Sequence, residues 1–155
     1  MHTFATDPLS KLFAICAALL SLQMLLLAAI TPARRAKVKQ MMNPEDAAVS
    51  PKGATLIDGA EHPDVARVQR AHRNLNESLP LFFALGLIYT LQGGCLLGGQ
   101  ICFCVFTGAR ILHMVVYLKG LQPARTICYA IGAFALFGLI VMVVLNAVGC
   151  CTAAA

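Results

Sequence analysis

A bundle of four membrane-spanning helices, all-α throughout, is the fold this chain predicts, and three observations predict it. Hydrophobic residues make up 59% of its 155 residues and charged residues only 12%, for a mean hydropathy of +0.75; soluble domains carry about 25% charged residues. Four apolar runs approach the roughly 20 residues that cross a bilayer, over about 10–30, 74–92, 97–117 and 125–148. The basic residues gather on one side of those runs, as the positive-inside rule expects of a membrane protein. A water-soluble enzyme domain is excluded at this point, and the length suits a single membrane domain over residues 1–155.

The first run, over 12–30, is longer than the apolar core of a secretion signal, has only Lys11 before it and lacks a small-x-small cleavage site after it. It is therefore expected to stay as a helix. A polar connection follows over about 31–62, punctuated by Pro32, Pro44, Pro51, Gly53 and Gly59. Within it, Asn43-Pro-Glu-Asp46 has the form of a helix start, with Asn43 as N-cap, Pro44 at the first position and two acids facing the dipole. His62-Pro-Asp64 is a second start, from which one helix runs over about 63–92 with its first turns outside the bilayer. The third helix covers about 97–117, and Pro123 opens the fourth.

Eight of the twelve Lys and Arg residues (Arg34, Arg35, Lys37, Lys39, Lys52, Arg67, Arg70, Arg73) lie between the first two spans, and Arg110, Lys119 and Arg125 lie about the third connection. The positive-inside rule then puts the first and third connections in the cytoplasm and both termini outside. The net charge of +5 is thus one-sided, which serves topology and attracts anionic ligands or anionic lipid. No nucleic-acid partner is expected. The seven cysteines, Cys150 and Cys151 included, sit in or beside apolar runs with neither C-x-x-C nor paired histidines, so they are read as packing residues and no metal site is expected.

Candidate chemistry lies where polar groups enter the helix ends. A charge inside a bilayer costs roughly 2.5–3.5 kcal/mol on insertion scales, so such groups persist where they are paired, watered or used. Arg70, Arg73, Asn74 and Glu77 fall at i, i+3, i+4 and i+7, one helical face and one expected site. Arg110, His113 and Tyr117 form a second stripe on the third helix, and Arg125, Thr126 and Tyr129 open the fourth at the same end. Arginine forks take carboxylates, and Asn74 and Glu77 take an ammonium or amide, so the set suits a small zwitterion with excess negative charge. The structural alternative pairs Arg110 with Glu77 and lets the rest snorkel; five arginines around one acid favour a ligand.

Three stretches, Asp64-Val-x-Arg-x-x-Arg-Ala-His-Arg-Asn-x-x-Glu77, Arg110-x-x-His-x-x-x-Tyr117 and Asn43-Pro-Glu-Asp-Ala47, closely resemble the MAPEG family of membrane glutathione enzymes over roughly residues 31–130. The resemblance implies a homotrimer of four-helix subunits that binds glutathione between neighbouring copies from the cytoplasmic side. Arg35, Arg73, Asn74, Glu77, His113, Tyr117, Arg125 and Tyr129 fall where that family contacts glutathione. Thr126 falls where one of its isomerases has a serine holding the thiolate, Arg125 where it has an arginine needed for activity, and Asp46 where it has an aspartate given a catalytic role. Asp46 would shuttle a proton or orient Arg125. Thr126 keeps the hydroxyl and adds a methyl, Ala66 replaces a glutamate, and the third connection is one residue shorter.

The expected function is therefore activation of the glutathione thiolate towards a lipophilic acceptor, as a transferase, a peroxidase or an isomerase of prostaglandin endoperoxides. The acceptor would enter from membrane lipid along a groove beside Leu112, Val116 or Ile127. A non-catalytic lipid-binding protein of the same fold would show gaps in the glutathione set, which is nearly whole here. A small transporter would place its charges at mid-membrane and often shows inverted repeats, neither of which this sequence has.

Overall fold

The computed structural model describes residues 7–50 and 53–149. Pro51, Lys52, Cys150 and Cys151 lie outside the described residues. Four long helices and a short one form, in the order α1 (Pro8–Val38), β1 (Gln40–Met41), α2 (Pro44–Val49), β2 (Thr55–Leu56), α3 (Pro63–Leu91), α4 (Leu96–Lys119) and α5 (Gln122–Ala147). By length and composition α1, α4 and α5 can each cross a membrane. The expected span over 74–92 belongs to α3, whose 29 residues reach about 44 Å but whose middle carries Asn74, Asn76, Glu77 and Pro80.

Local chemistry explains the helix ends. Asp7 caps α1 by accepting from the Ser10 amide at 2.9 Å, with Pro8 at the first position. His62 caps α3, its Nδ1 accepting from the Asp64 amide at 3.3 Å, and α3 then runs unbroken to Leu91. Gly120 ends α4 in the left-handed region at φ 74°, which glycine adopts without steric cost.

The polar connection is not the plain loop expected over 31–62. Helix α1 continues through Pro32 to Val38, because a proline removes only one helical donor and the Ala, Arg and Lys residues after it favour helix. Thr31 Oγ1 donates to the Leu27 carbonyl at 3.0 Å beside that break. Nor is the chain helical throughout: β1 and β2 pair in parallel, Gln40 opposite Thr55 and Met41 opposite Leu56. These strands fasten the returning chain to the foot of α1 and bury Met41. Asn43 does precede α2, but its side chain makes no cap bond; Nδ2 donates instead to Asp46 Oδ2 at 3.1 Å.

Helices α3 and α4 are central: α1 packs against both on one flank, α5 packs against both on the other, and the backbones of α1 and α5 do not come close to one another. The core is aromatic. Phe82 stacks on Phe106 with centroids 4.5 Å apart and meets Phe103 edge-on at 5.7 Å and Phe13 at 5.9 Å. Gly86 admits Phe13, since a Cβ there would lie 2.4 Å from the Phe13 ring. The outward faces are apolar, with Leu25, Leu97 and Phe134 among the exposed residues, as a lipid environment permits.

Phe82→Ala is expected to lower stability by about 3 kcal/mol, since lost packing is the main cost of emptying such a site. Phe134→Ala, on an exposed ring, should change it by less than about 0.5 kcal/mol. Thermal unfolding of the detergent-solubilised protein measures both.

Candidate functional site

The polar stripe of α4 meets the first two turns of α5. His113 lies 5.4 Å from the Tyr117 ring and 6.2 Å from the Tyr129 ring, and the Arg125 guanidinium stands over Tyr117 at 4.7 Å. Such cation–π contacts orient a long side chain while leaving its N–H donors free. Asn74 from α3 completes a cavity of ≈ 310 Å³ lined by Asn74, His113, Tyr117, Arg125, Thr126 and Tyr129. All six are residues that the sequence analysis singled out.

Arg110 lies one turn along α4 from His113, outside the lining of this cavity. The residue is only 3% exposed, and its guanidinium stands over the rings of Phe106 at 5.2 Å and Tyr129 at 5.3 Å. Its Nη1 donates to Asn74 Oδ1 at 3.1 Å, while Nε has no hydrogen-bond partner among the described residues. The pairing with Glu77 weighed above does not form: among the described residues the arginine–carboxylate pair within 4.0 Å is Arg35 with Glu61. Asn74 takes Nη1 instead, while Glu77, exposed, lines the same space as Arg110 without pairing with it. Below Asn74 and Tyr129 a second space of ≈ 290 Å³ runs between α3 and α5, past Glu77 and Arg110 to Leu81, Leu136, Phe137 and Ile140. This groove is apolar over most of its length. It is not the expected one beside Leu112 and Ile127, which are exposed on the outer surface.

The 70–77 face of α3 does not make one site. Asn74 and Glu77 face α4 and α5, whereas Arg73 lines a cavity of ≈ 580 Å³ on the α1 side with Thr31, Arg35, Gln69, His72 and Asn76. Residues 73 and 74 are about 100° apart around the helix, and α3 stands between two flanking helices, so they go to opposite sides. Arg70 is exposed and lines neither space.

The MAPEG family model matches residues 13–145. The chain belongs to the MAPEG family. Among the relatives of this MAPEG chain is a prostaglandin E synthase of Mus musculus, 37% identical over 128 residues that cover 82% of each chain. A microsomal glutathione S-transferase 1 of Rattus norvegicus is 38% identical over 112 residues, 71% of this chain and 72% of its own. The prostaglandin E synthase of Homo sapiens is 34% identical over 131 residues, 81% of this chain and 82% of its own.

Besides Arg70 and Arg73, two further residues named for this MAPEG site lie apart from the α4–α5 corner. Asp46 is exposed on α2, which among the described elements packs only against β1 and β2, so one chain does not bring it to Arg125. Arg35 is held by Glu61, with both Nε and Nη2 at 2.7 Å from Oε1. Sequence reasoning missed Glu61, which had no local signal. It also missed Gln23, buried in α1, whose Nε2 donates to the Arg110 carbonyl at 2.9 Å; a glutamine amid an apolar run was the signal available.

Asn74→Ala removes the hydrogen bond that Asn74 accepts from the Arg110 guanidinium, and a bond to a buried charge contributes roughly 1.5–3 kcal/mol. A loss of about 2 kcal/mol in thermal unfolding is expected. With Arg110→Met as background the same change should cost far less, which a double-mutant cycle reads.

Proposed function

We propose that this MAPEG protein is a glutathione-dependent membrane enzyme that presents the glutathione thiolate to a lipophilic acceptor. The observation that carries the reading is the shared wall of Asn74 and Tyr129, which sets a polar cavity containing Arg125 and Thr126 directly above an apolar groove. A free thiol of pKa about 8.5 is mostly protonated near neutrality, and the thiolate is the nucleophile. The Arg125 guanidinium and the Thr126 hydroxyl supply a charge and a donor for that thiolate. The groove along Leu81, Leu136 and Phe137 opens towards the bilayer and suits an acyl or aromatic acceptor. Attack by the sulfur on carbon gives transfer, and attack on a peroxide oxygen breaks the O–O bond and leads to reduction or isomerisation. Relatives named for a glutathione S-transferase and for a prostaglandin E synthase fit both outcomes.

The site is completed between copies of the chain in a homotrimer of four-span subunits, its polar end facing the cytoplasm and both termini outside. Arg35 and Arg73 lie on the α1 side of α3, Arg125 and Thr126 on the α5 side, so one small ligand can meet both sets only where two copies abut. Asp46 would reach the thiolate in the same way, from a neighbouring copy.

Calorimetry of the detergent-purified protein with glutathione, with the ultraviolet absorbance of the thiolate followed across pH, tests the reading. Binding with a lowered thiol pKa supports it; no binding at millimolar glutathione overturns it. Arg125→Ala and Thr126→Val are expected to retain glutathione while losing kcat by about a hundredfold or more, with Thr126→Ser close to wild type. An active Thr126→Val would remove the hydroxyl from the mechanism.

Co-expressing Arg73→Ala with Thr126→Val tests the shared site. Mixed assemblies form some interfaces free of both changes, so activity should reappear that neither variant shows alone. Absence of that recovery in co-purified mixed assemblies places the whole site within one chain.

A further inference from the structure

Arg35 stands in two relationships at once. It lines the ≈ 580 Å³ cavity with Arg73 and His72, and it is gripped from outside that cavity by Glu61, which is not among the lining residues. Among the described residues no carboxylate lines the cavity, so its chemistry selects anions. The two side chains are 17% and 13% exposed, which makes this a sheltered pair rather than a loose surface contact.

Glu61 is itself held at both ends. It precedes the His62 cap of α3, and the Thr55 and Ile57 amides donate to the Lys39 and Met41 carbonyls at 2.9 Å, tying the approaching chain to the foot of α1. The carboxylate therefore meets the last turns of α1 in a set place. Its Oε1 occupies the Nε edge of the guanidinium, with Nε and Nη2 both at 2.7 Å. Of the five N–H donors in the arginine fork, those on Nη1 stay available to a carboxylate in the cavity.

We propose that Glu61 is a positioning residue for anion capture: it holds Arg35 in the orientation that receives a carboxylate of glutathione. The proposal rests on the glutathione reading above. Two effects of Glu61 oppose one another. Its negative charge weakens the field that an incoming anion feels, and its grip removes the need to immobilise a long side chain on binding, an ordering that costs about two- to tenfold in affinity. The carboxylate lies outside the cavity on the Nε edge and its charge is already matched by Arg35, so the ordering dominates.

The full-length detergent-purified protein decides it, with glutathione as the probe. Glu61→Ala is expected to raise the glutathione Kd and KM about two- to tenfold with kcat unchanged, and Glu61→Gln, which keeps an acceptor for Arg35, to fall between. Because Glu61 acts through Arg35, the double variant Arg35→Ala, Glu61→Ala should bind no worse than Arg35→Ala alone. Unchanged or tighter binding in Glu61→Ala, or losses that simply add, overturns the proposal. Thermal unfolding checks each variant; if Glu61→Ala does not fold, Glu61→Gln decides, and binding equal to or tighter than wild type overturns the proposal. A wild-type protein that binds no glutathione overturns the enzyme reading and this proposal together, whereas wild-type binding indifferent to Glu61 overturns the proposal alone.

Discussion

A guanidinium buried in an apolar helix bundle is the constraint around which this molecule is arranged. Isolated in a low-dielectric interior, Arg110 would be among the costliest groups a chain can bury. Here all four long helices attend to its residue: Gln23 of α1 donates to its carbonyl, Asn74 of α3 accepts from Nη1, and the guanidinium stands over the rings of Phe106 of α4 and Tyr129 of α5. A residue that four helices satisfy together also sets their relative depth. Asn74 and Tyr129, the two neighbours that touch the guanidinium from other helices, are the same two that wall the polar cavity and the groove beneath it. Structural need and site geometry are therefore met by the same side chains.

Helix α3 divides the molecule. Its buried stripe of Val68, Ala71, Leu75, Leu79 and Phe82 faces the core, and the polar residues on either edge of that stripe are turned to opposite flanks because the backbones of α1 and α5 do not come close to one another. The cations that a small acidic ligand would need are divided in the same way, Arg35 and Arg73 to one side and Arg125 to the other. On the function proposed above, one copy of the chain does not gather these cations around one ligand. The physical case for assembly comes from that division rather than from apolar surface, which in a bilayer says little about partner number.

The basic end has its own framework. Beyond Pro32 the last turns of α1, the two-residue strands and the Arg35–Glu61 pair make a closed circuit from α1 back to the start of α3. Short parallel strands contribute little by themselves. Their role here is to bring Glu61 back to a guanidinium 26 residues earlier in the chain, so that a long, entropically free side chain becomes an ordered one.

What the sequence determined by itself follows from interactions within a few residues. The membrane class, the starts at His62-Pro63 and Pro123, and the phase of Arg110, His113 and Tyr117 along α4 are set by composition, caps and the 3.6-residue turn, and the corner they form with Arg125, Thr126 and Tyr129 was legible because it needs only two consecutive helices to lie antiparallel. Tertiary structure alone decided the rest: that α1 outlasts Pro32, that Arg73 and Asn74 part company, that Arg110 takes Asn74 rather than Glu77, and that Gln23 reaches a carbonyl 87 residues away. Each of these depends on which helix packs on which flank and at what rotation, and that is settled by the summed packing of distant side chains, for which no local pattern of residues carries a record.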